Sequence, residues 1–215
     1  MNVVHQSYET RFWHPDEDLE KIVEAAHMCY AADPCKTYEE KENLVRKLIH
    51  RGHTSPLEHS SLTVIFTTNR GVTHELVRHR IASYTQESTR YCNYSKDKFG
   101  NQITFIWDEE IGEGDVDWWL DRLSFIEGQY FERLDYGYSP QIARGCLTND
   151  VKTKIMVTAN YREWRTIFGL RCASDAHPHI RRLMAPLYVE CVRTLPCIFE
   201  DLEPNLDLTS VIKNG

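Results

Sequence analysis

Residues 78–91 form the stretch of this chain that is best equipped for chemistry. They combine three arginines, a histidine, a glutamine amide and several hydroxyl groups, within a chain that is otherwise acidic. Arginine presents a planar fork of donors that suits phosphate and carboxylate groups, and hydroxyl and amide groups can hydrogen-bond to the polar edge of a base. The stretch therefore indicates an anion-binding site. Composition alone leaves the alternative open, which is a solvated helix end followed by a polar loop.

The charge balance narrows the class of ligand. The chain has 215 residues, with 25 Lys and Arg against 32 Asp and Glu and a net charge of −7. This charge opposes nonspecific binding to DNA, RNA or an anionic membrane, so we expect a small-molecule ligand. The length predicts a single domain over residues 1–215.

The sequence also indicates a compartment. No apolar run approaches the roughly 20 residues that a membrane span requires, and residues 1–6 lack the basic and apolar regions of a leader peptide. The seven cysteines are odd in number and include no Cys-x-x-Cys pair, which argues against a disulfide framework or a cysteine-rich zinc site. We therefore expect a cytoplasmic protein.

A second polar segment, residues 53–59, precedes an apolar strand predicted over residues 62–66. Pro56 excludes a continuous helix there. His53, Glu58 and His59 suggest a metal site, but their spacing matches neither His-x-x-Glu-His nor His-Glu-x-x-His. We expect no metal, and these residues alone favour a turn whose histidines bond to the backbone.

Hydrophobic periodicity and capping signals predict the elements that position these segments. Helices are expected over residues 15–30, from 37 to 52, over 71–77, from 116 to 134, from 139, over 160–171 and from 175 to Pro196. A loop is expected over 81–90, and strands over 91–94, 102–106 and 152–158. One further short helix or strand is expected in the tail from Glu200 onward.

No glycine-rich phosphate loop is predicted. Residues 112–117 lack the third glycine of a dinucleotide-binding loop and carry three carboxylates where a pyrophosphate would lie. A Walker-type loop is also absent from the sequence. If a nucleotide binds, arginines must hold its phosphate.

Arg78-His79-Arg80, followed after seven residues by Ser88, resembles the signature of the flavin-dependent thymidylate synthases, and the similarity continues through Arg90-Tyr91. Two further segments occur in the family's order. Residues 53–59 are similar to its His-x-Thr/Ser-Pro-x-Glu-His segment, and residues 160–171 are similar to its Asn-x-Arg helix that ends in Leu-Arg. The similar segments span residues 53–177.

The resemblance implies a fold and a reaction. The expected fold is a single α+β domain, with a mainly antiparallel sheet packed with helices, in a homotetramer whose active sites gather residues from several subunits. The expected reaction is reductive methylation of dUMP to dTMP. In it 5,10-methylenetetrahydrofolate gives the methylene, NADPH supplies electrons through FAD, and tetrahydrofolate is released. The family uses no covalent nucleophile, so the protein supplies binding, orientation and charge stabilisation.

For the substrate, the resemblance implies that Arg171 stabilises an ionised uracil ring and that Arg90 and Arg144 hold the phosphate. Ser88 is also assigned to catalysis, as a group that positions the substrate, because no Ser-His-Asp pattern can be read around it. The expected nucleotide site is completed by Glu75, Arg78, Gln86, Glu87 and Thr89.

For the cofactor, the resemblance implies that FAD contacts Ser55, Arg78, His79, Arg80, Gln86, Asn160, Arg162 and Thr166, with His53 and His177 beside it. The Ser55 hydroxyl is expected to contact the flavin of a neighbouring subunit. On an ideal helix Arg171 lies nine residues from Arg162, which is about 900° of rotation or half a turn out of phase. Arg162 and Arg171 are therefore expected to contact different ligands.

Three positions depart from the family's common pattern. Glu75 often corresponds to Gln, and Thr85 and Thr166 often correspond to Asn. Glu75 would repel a phosphate but can accept from uracil N3 or a sugar hydroxyl.

Two rival functions remain open. The first is an FAD-binding electron-transfer or regulatory protein of the same fold without synthase activity. The second is a metal hydrolase built on His53, Glu58 and His59.

Overall fold

The computed structural model describes residues 1–30, 34–205 and 207, and it has the α+β architecture that was predicted. The helices in the described part of the chain have these bounds: α1 Pro15–Tyr30, α2 Tyr38–His50, α3 Arg70–Leu76, α4 Val116–Asp135, α5 Pro140–Ala143, α6 Tyr161–Arg171, α7 Pro178–Thr194 and α8 Pro196–Phe199. Short 3-10 helices cover Ser55–His59, Asp97–Phe99, Glu113–Asp115, Arg144–Cys146 and Glu200–Asn205.

The strands form two sheets. Their bounds are β1 Asn2–Val4, β2 Ser7–Arg11, β3 Ser61–Asn69, β4 Ala82–Gln86, β5 Thr104–Ile106 and β6 Lys152–Asn160. An antiparallel sheet has the order β2-β3-β6-β4, and β1 pairs in parallel with β5, with Val3 opposite Phe105. The expected antiparallel sheet is therefore confirmed.

The chain divides into two compact units, and the boundaries fall within β2, β3, β4 and β6 and between Arg78 and His79. Unit 1 comprises residues 1–7, 66–78 and 85–156, and unit 2 comprises residues 8–65, 79–84 and 157–215. The prediction of a single domain over residues 1–215 stays a prediction.

Each unit has its own apolar core. In unit 1, α4 and β5 bury a cluster that consists of Tyr94, Ile103, Phe105, Trp119, Leu123, Tyr130, Ala143 and Val151. In unit 2, α1 packs on α2, α2 on α8, and α6 on α7. There the Phe168 ring meets Tyr188 and Phe199 edge to face, at centroid distances of 5.5 and 5.7 Å. Such pairs add to the apolar burial that stabilises a core.

Most predicted helices are confirmed, and their ends follow the expected capping chemistry. Thr37 opens α2 with a complete capping box, as Thr-x-x-Glu predicts. The apolar residues that recur at helical spacing along α1 are buried at Leu19, Ile22, Val23 and Ala26. The next residue of this pattern is Tyr30, whose side chain lies outside the described residues. Of the two options for the tail, the short helix is found as the 3-10 helix Glu200–Asn205, and residues 206 and 208–215 lie outside the described residues.

The prediction of a loop over residues 81–90 is wrong in its first half, because Ala82–Gln86 forms β4. Ala82, Tyr84 and Gln86 are half-buried and alternate with exposed residues, so the strand has the correct period but few apolar side chains. It lies at an edge of the sheet, where one side remains unpaired and polar residues are common.

The strand expected over residues 91–94 is also wrong. The backbone amides of Tyr91 and Cys92 both donate to the Ser88 carbonyl, at 3.1 and 2.9 Å, and close a turn instead. The predicted strand at residues 102–106 is present but shorter, and it pairs with β1.

At the start of α5 the expected side-chain cap is absent. The Ser139 backbone carbonyl, and not its hydroxyl, accepts from Ile142 and Ala143. The helix then tightens into a 3-10 turn after four residues. Across the described residues, no helix is both long and apolar enough to cross a membrane.

Candidate functional site

Two strand-to-helix corners lead into segments that carry several of the predicted functional residues, and both corners are built in the same way. β3 ends at Asn69, whose side chain accepts from the Val72 amide at 2.8 Å and caps α3. β6 ends at Asn160, whose side chain accepts from the Glu163 amide at 2.8 Å and caps α6. The sequence Arg78-His79-Arg80 follows α3, and Arg171 is the last residue of α6. Asn160, predicted as a flavin contact, thus also serves as a helix cap.

In unit 1 the structure brings the two predicted phosphate arginines to one turn. Arg144 Nη1 donates to the Thr89 hydroxyl at 3.0 Å, and Arg90 Nε donates to the Gln141 side-chain oxygen at 3.1 Å. The Arg90 backbone amide donates to Ser88 Oγ at 3.2 Å. Both guanidinium groups are exposed and, among the described residues, they are held by neutral partners. This arrangement leaves their positive charge available to an anion.

Gln86 and Glu87 anchor the same turn to the sheet. The Gln86 amide nitrogen donates to the Thr73 and Thr153 hydroxyls, at 2.9 and 3.2 Å. The Glu87 carboxylate accepts from Lys152 Nζ at 2.9 Å and from the Lys154 backbone amide at 3.0 Å. These contacts fix the loop that carries Ser88 and Thr89, and the predicted ligand roles of Gln86 and Glu87 stay predictions.

Two further predicted residues of unit 1 are placed on or just after α3. Glu75 is half-buried near the end of the helix, and Arg78 is exposed beyond it. The Arg78 amide donates to the Glu75 carbonyl at 3.3 Å, which continues the helical turn. Their substrate roles stay predictions.

In unit 2 three predicted cofactor residues line one cavity of about 360 Å³. His53, Ser55 and Arg162 share its wall with Cys29, Leu48, Gly52, Thr54 and Pro56. Arg162 Nη1 also donates to Glu58 in the segment that supplies His53 and Ser55. This hydrogen bond ties the first turn of α6 to the polar segment before β3.

The cavity fits part of a flavin dinucleotide by its chemistry and its size. Its lining includes two hydroxyl residues, an imidazole and a guanidinium, which are suitable partners for phosphate and heterocycle oxygens. Its volume lies at the lower end of the range for small-molecule pockets, which runs from about 300 to 1,000 Å³. Among the described residues, no three His, Cys, Asp or Glu side chains cluster as a metal site would require.

Three other predicted cofactor residues of unit 2 are exposed on its surface. Thr166 is exposed one turn after Arg162 and donates to the Arg162 carbonyl at 3.3 Å. Arg80 is exposed, and His177 caps α7 by accepting from the His179 amide at 3.2 Å. Their flavin contacts stay predictions.

His79 is buried in unit 2, with 6% of its surface exposed. Its Nε2 accepts from Arg171 Nε at 3.0 Å, and its Nδ1 lies 3.4 Å from Glu163 Oε1. Burial, together with the Arg171 charge, lowers the pKa of His79 to about 4. The imidazole is therefore neutral at neutral pH, although it stands beside a carboxylate.

Sequence reasoning missed several residues that hold the site. Gln141 gives no sequence signal, because it reaches Arg90 from another part of the chain. Lys152 opens a strand and reads as a surface cation. Glu163 is the third residue of α6, where the pattern Asn-x-x-Glu is typical of a helix cap. In the structure its carboxylate instead lies beside His79.

Comparisons with known proteins agree on one family. The family model described as "Thymidylate synthase complementing protein" matches residues 12–197. A flavin-dependent thymidylate synthase from Geobacter sulfurreducens is 34% identical over 204 residues, which cover 88% of this chain and 84% of that protein. One from Pyrococcus furiosus is 37% identical over 174 residues, covering 77% and 70%.

The fold also matches a solved structure. A UMP/dUMP methylase from Streptomyces cacaoi, crystallised with 5-Br dUMP, superimposes with a TM-score of 0.76 and 22% identity. The match covers 93% of this chain and 96% of that one. At this identity the likeness establishes a shared fold.

Proposed function

The chain belongs to the flavin-dependent thymidylate synthase family, and we propose that it converts dUMP to dTMP by reductive methylation. In this proposal 5,10-methylenetetrahydrofolate donates the methylene group and tetrahydrofolate is released. NADPH is the proposed reductant. FAD, when bound, supplies the hydride-transfer chemistry that no amino-acid side chain provides.

The observation that carries the proposal is the meeting of Arg90 and Arg144 at the turn formed by residues 88–89. The two arginines are 54 positions apart in a chain of net charge −7, yet Thr89 and Gln141 orient both guanidinium groups there. Two exposed guanidinium groups beside hydroxyls make a site for a phosphate dianion. The nucleotide monophosphate would bind here.

Arg171 would act on the uracil ring. The reaction needs a nucleophilic C5, and a cation beside the ring oxygens favours the ionised ring that has electron density at C5. The Arg171 guanidinium is half-buried and is held through Nε by a neutral imidazole. A half-buried charge with fixed direction stabilises developing charge more than a solvated one does.

Ser88 would position the nucleotide rather than attack it. Its hydroxyl accepts from the Arg90 amide at 3.2 Å, so the side chain helps to shape the turn. The proposed FAD site comprises His53, Ser55 and Arg162 at the cavity of unit 2, with Arg78, His79, Arg80, Asn160, Thr166 and His177 as further proposed contacts.

We also propose that the chain forms a homotetramer in which each active site draws on several subunits. The exposure of Ser55, Arg78, Arg80 and Arg162 supports this, because catalysis of this kind needs a site closed to water. All seven cysteines lie in the described part of the chain as free thiols. That state supports the reducing cytoplasm as the location.

The decisive experiment combines purified protein with dUMP, 5,10-methylenetetrahydrofolate, FAD and NADPH. We expect dTMP and tetrahydrofolate to form together, and no product when FAD is omitted from flavin-free protein. Replacing NADPH by NADH tests the reductant. A protein that binds FAD but makes no dTMP would be the electron-transfer or regulatory alternative.

A further inference from the structure

Glu163 is a buried carboxylate to which the sequence assigned no role. It lies on α6 directly after Arg162, and 8% of its surface is exposed. Glutamate is seldom this buried unless it has a polar partner. The polar group facing it is the neutral His79 ring, whose Nδ1 is 3.4 Å from Glu163 Oε1.

The hydrogen bond on the other side of the ring fixes where the imidazole proton lies. Arg171 Nε donates to His79 Nε2 at 3.0 Å, and an arginine stays protonated and cannot accept. His79 Nε2 must therefore be unprotonated. In the neutral ring the proton lies on Nδ1, the nitrogen that faces Glu163.

The backbone that carries the His79 ring is also fixed by a hydrogen bond. Tyr84 Oη donates to the His79 carbonyl at 2.7 Å. Two changes could still break the contact with Arg171. A change of tautomer would place an Nε2–H against the guanidinium, and a flip of the ring would place a C–H there. A carboxylate beside Nδ1 disfavours both, because it stabilises a donor at that position.

We propose that Glu163 is a positioning residue for Arg171, which it serves by holding His79 in the Nδ1–H tautomer so that Nε2 accepts from Arg171. Fixing Nε sets the plane of the guanidinium and hence the direction of its Nη1 and Nη2 donors. The assignment of a uracil ring as the group they serve rests on the proposed function. The assignment of the tautomer rests on the geometry alone.

Two substitutions separate this role from a purely structural one. Glu163→Gln keeps an oxygen that can accept from Nδ1–H, whereas Glu163→Leu keeps the volume and removes the acceptor. We expect kcat for dTMP formation to fall on the order of 10- to 100-fold in Glu163→Leu, as for other misplaced catalytic groups. The KM for dUMP is expected to change little, and Glu163→Gln to stay close to wild type. If Glu163 only fills space, leucine would serve at least as well as glutamine.

A double-mutant cycle tests whether the effect passes through Arg171. Glu163→Leu should cause no further loss of kcat in an Arg171→Ala background, since residues that act as a unit are not additive. Glu42→Leu, which removes a carboxylate paired with Arg46 within α2, is the matched control and is expected to keep the wild-type rate. Additive losses would overturn the proposal.

An NMR measurement on the resting protein tests the tautomer of His79 independently of the proposed reaction. The ¹⁵N resonances of the imidazole distinguish a protonated from an unprotonated ring nitrogen, with His79→Gln identifying the signals. We expect Nδ1–H in the wild type and in Glu163→Gln, and a mixture of tautomers in Glu163→Leu. Nε2–H in the wild type would overturn the proposal even if dTMP forms, whereas absence of dTMP with the Nδ1–H pattern intact would refute only the proposed function.

Discussion

The arginines of the two units are held in opposite ways. In unit 1, Arg90 and Arg144 lie on the surface, and the neutral groups of Gln141 and Thr89 orient them. In unit 2, Arg171 is anchored on a buried neutral imidazole that has a carboxylate behind it. The first arrangement suits capture of an anion from water, and the second suits a charge that must point in one direction. Binding and catalysis are thus expected to respond differently to mutation, salt and pH.

Among the variants considered, removal of the Arg171 side chain is expected to cause the largest loss of activity. Arg171→Ala deletes the charge proposed to stabilise the ionised uracil, and we expect kcat to fall by about 10²- to 10³-fold, as when an oxyanion donor is lost. Steady-state kinetics of dTMP formation measure it. Arg122→Ala, which removes an exposed arginine over the Trp118 ring, is the control. An unchanged kcat would refute the role given to Arg171.

The surface arginines are expected to act on affinity instead. Arg90→Ala and Arg144→Ala should each weaken dUMP binding by about 10- to 100-fold, the range expected for a charge-assisted hydrogen bond of about 1.5–3 kcal/mol. Because these charges are exposed, added salt should weaken binding by the wild type more than binding by the variants. Calorimetric titration with dUMP at two salt concentrations measures both effects. If Arg90→Ala or Arg144→Ala lowered kcat and left the affinity for dUMP unchanged, the proposed division between binding arginines in unit 1 and a catalytic arginine in unit 2 would be wrong.

Breaking the contact between Lys152 and Glu87, which holds the loop of residues 88–89, is expected to change the KM for dUMP by a smaller amount. Lys152→Met and Glu87→Gln both break the contact between Lys152 Nζ and the Glu87 carboxylate, which is partly exposed and worth about 0.2–1 kcal/mol. If Glu87 acts by holding the loop, the two variants should raise the KM for dUMP alike, by several-fold at most. If Glu87 binds substrate directly, Glu87→Gln alone would show the larger change.

The buried imidazole predicts a pH dependence of stability. The pKa of His79 is lowered from 6.5 to about 4 by burial and by the Arg171 charge, so between these values the unfolded chain binds the proton more readily. His79 therefore contributes stability above pH 6.5 that is lost as the pH falls towards 4. Burial raises the pKa of Glu163, so its contribution to stability changes with pH in the opposite direction. The pKa of Tyr84 is raised to about 12, and its hydroxyl therefore stays neutral over this range.

Thermal denaturation of the wild type and His79→Gln from pH 7 to 4 measures the His79 contribution. Glu163 is present in both proteins, so the difference between the two curves reports mainly on His79. We expect the Tm of the wild type to fall on the order of a few degrees further than that of the variant. Parallel curves would show that the ring is not held neutral.

The sequence predicted those parts of the site that depend on local chemistry. Signals within a few residues predict three of these features. They are the helix that starts at Asn160, the capping box at Thr37, and the position of Arg78-His79-Arg80 after α3. The same holds for β6, whose alternation buries Ile155 and Val157. Short-range hydrogen bonds and side-chain periodicity are enough to specify such features.

The parts that could not be predicted depend on distant contacts. The contact between Arg90 and Gln141 joins residues 51 positions apart, and no period in the sequence links them. A glutamate on an amphipathic helix reads as a surface residue, so the burial of Glu163 against His79 was not foreseen. The strand Ala82–Gln86 was missed because it is completed by pairing in the sheet and not by its own apolar residues.

The two asparagine corners limit where this chain can change length. Asn69 and Asn160 each end a strand and cap a helix at once, so no spare residue separates sheet from helix. One inserted amino acid after Asn160 would turn the rest of α6 by about 100° and shift it by about 1.5 Å. Arg171 would then miss His79. Natural or engineered insertions are expected to accumulate between other elements and to avoid these two junctions.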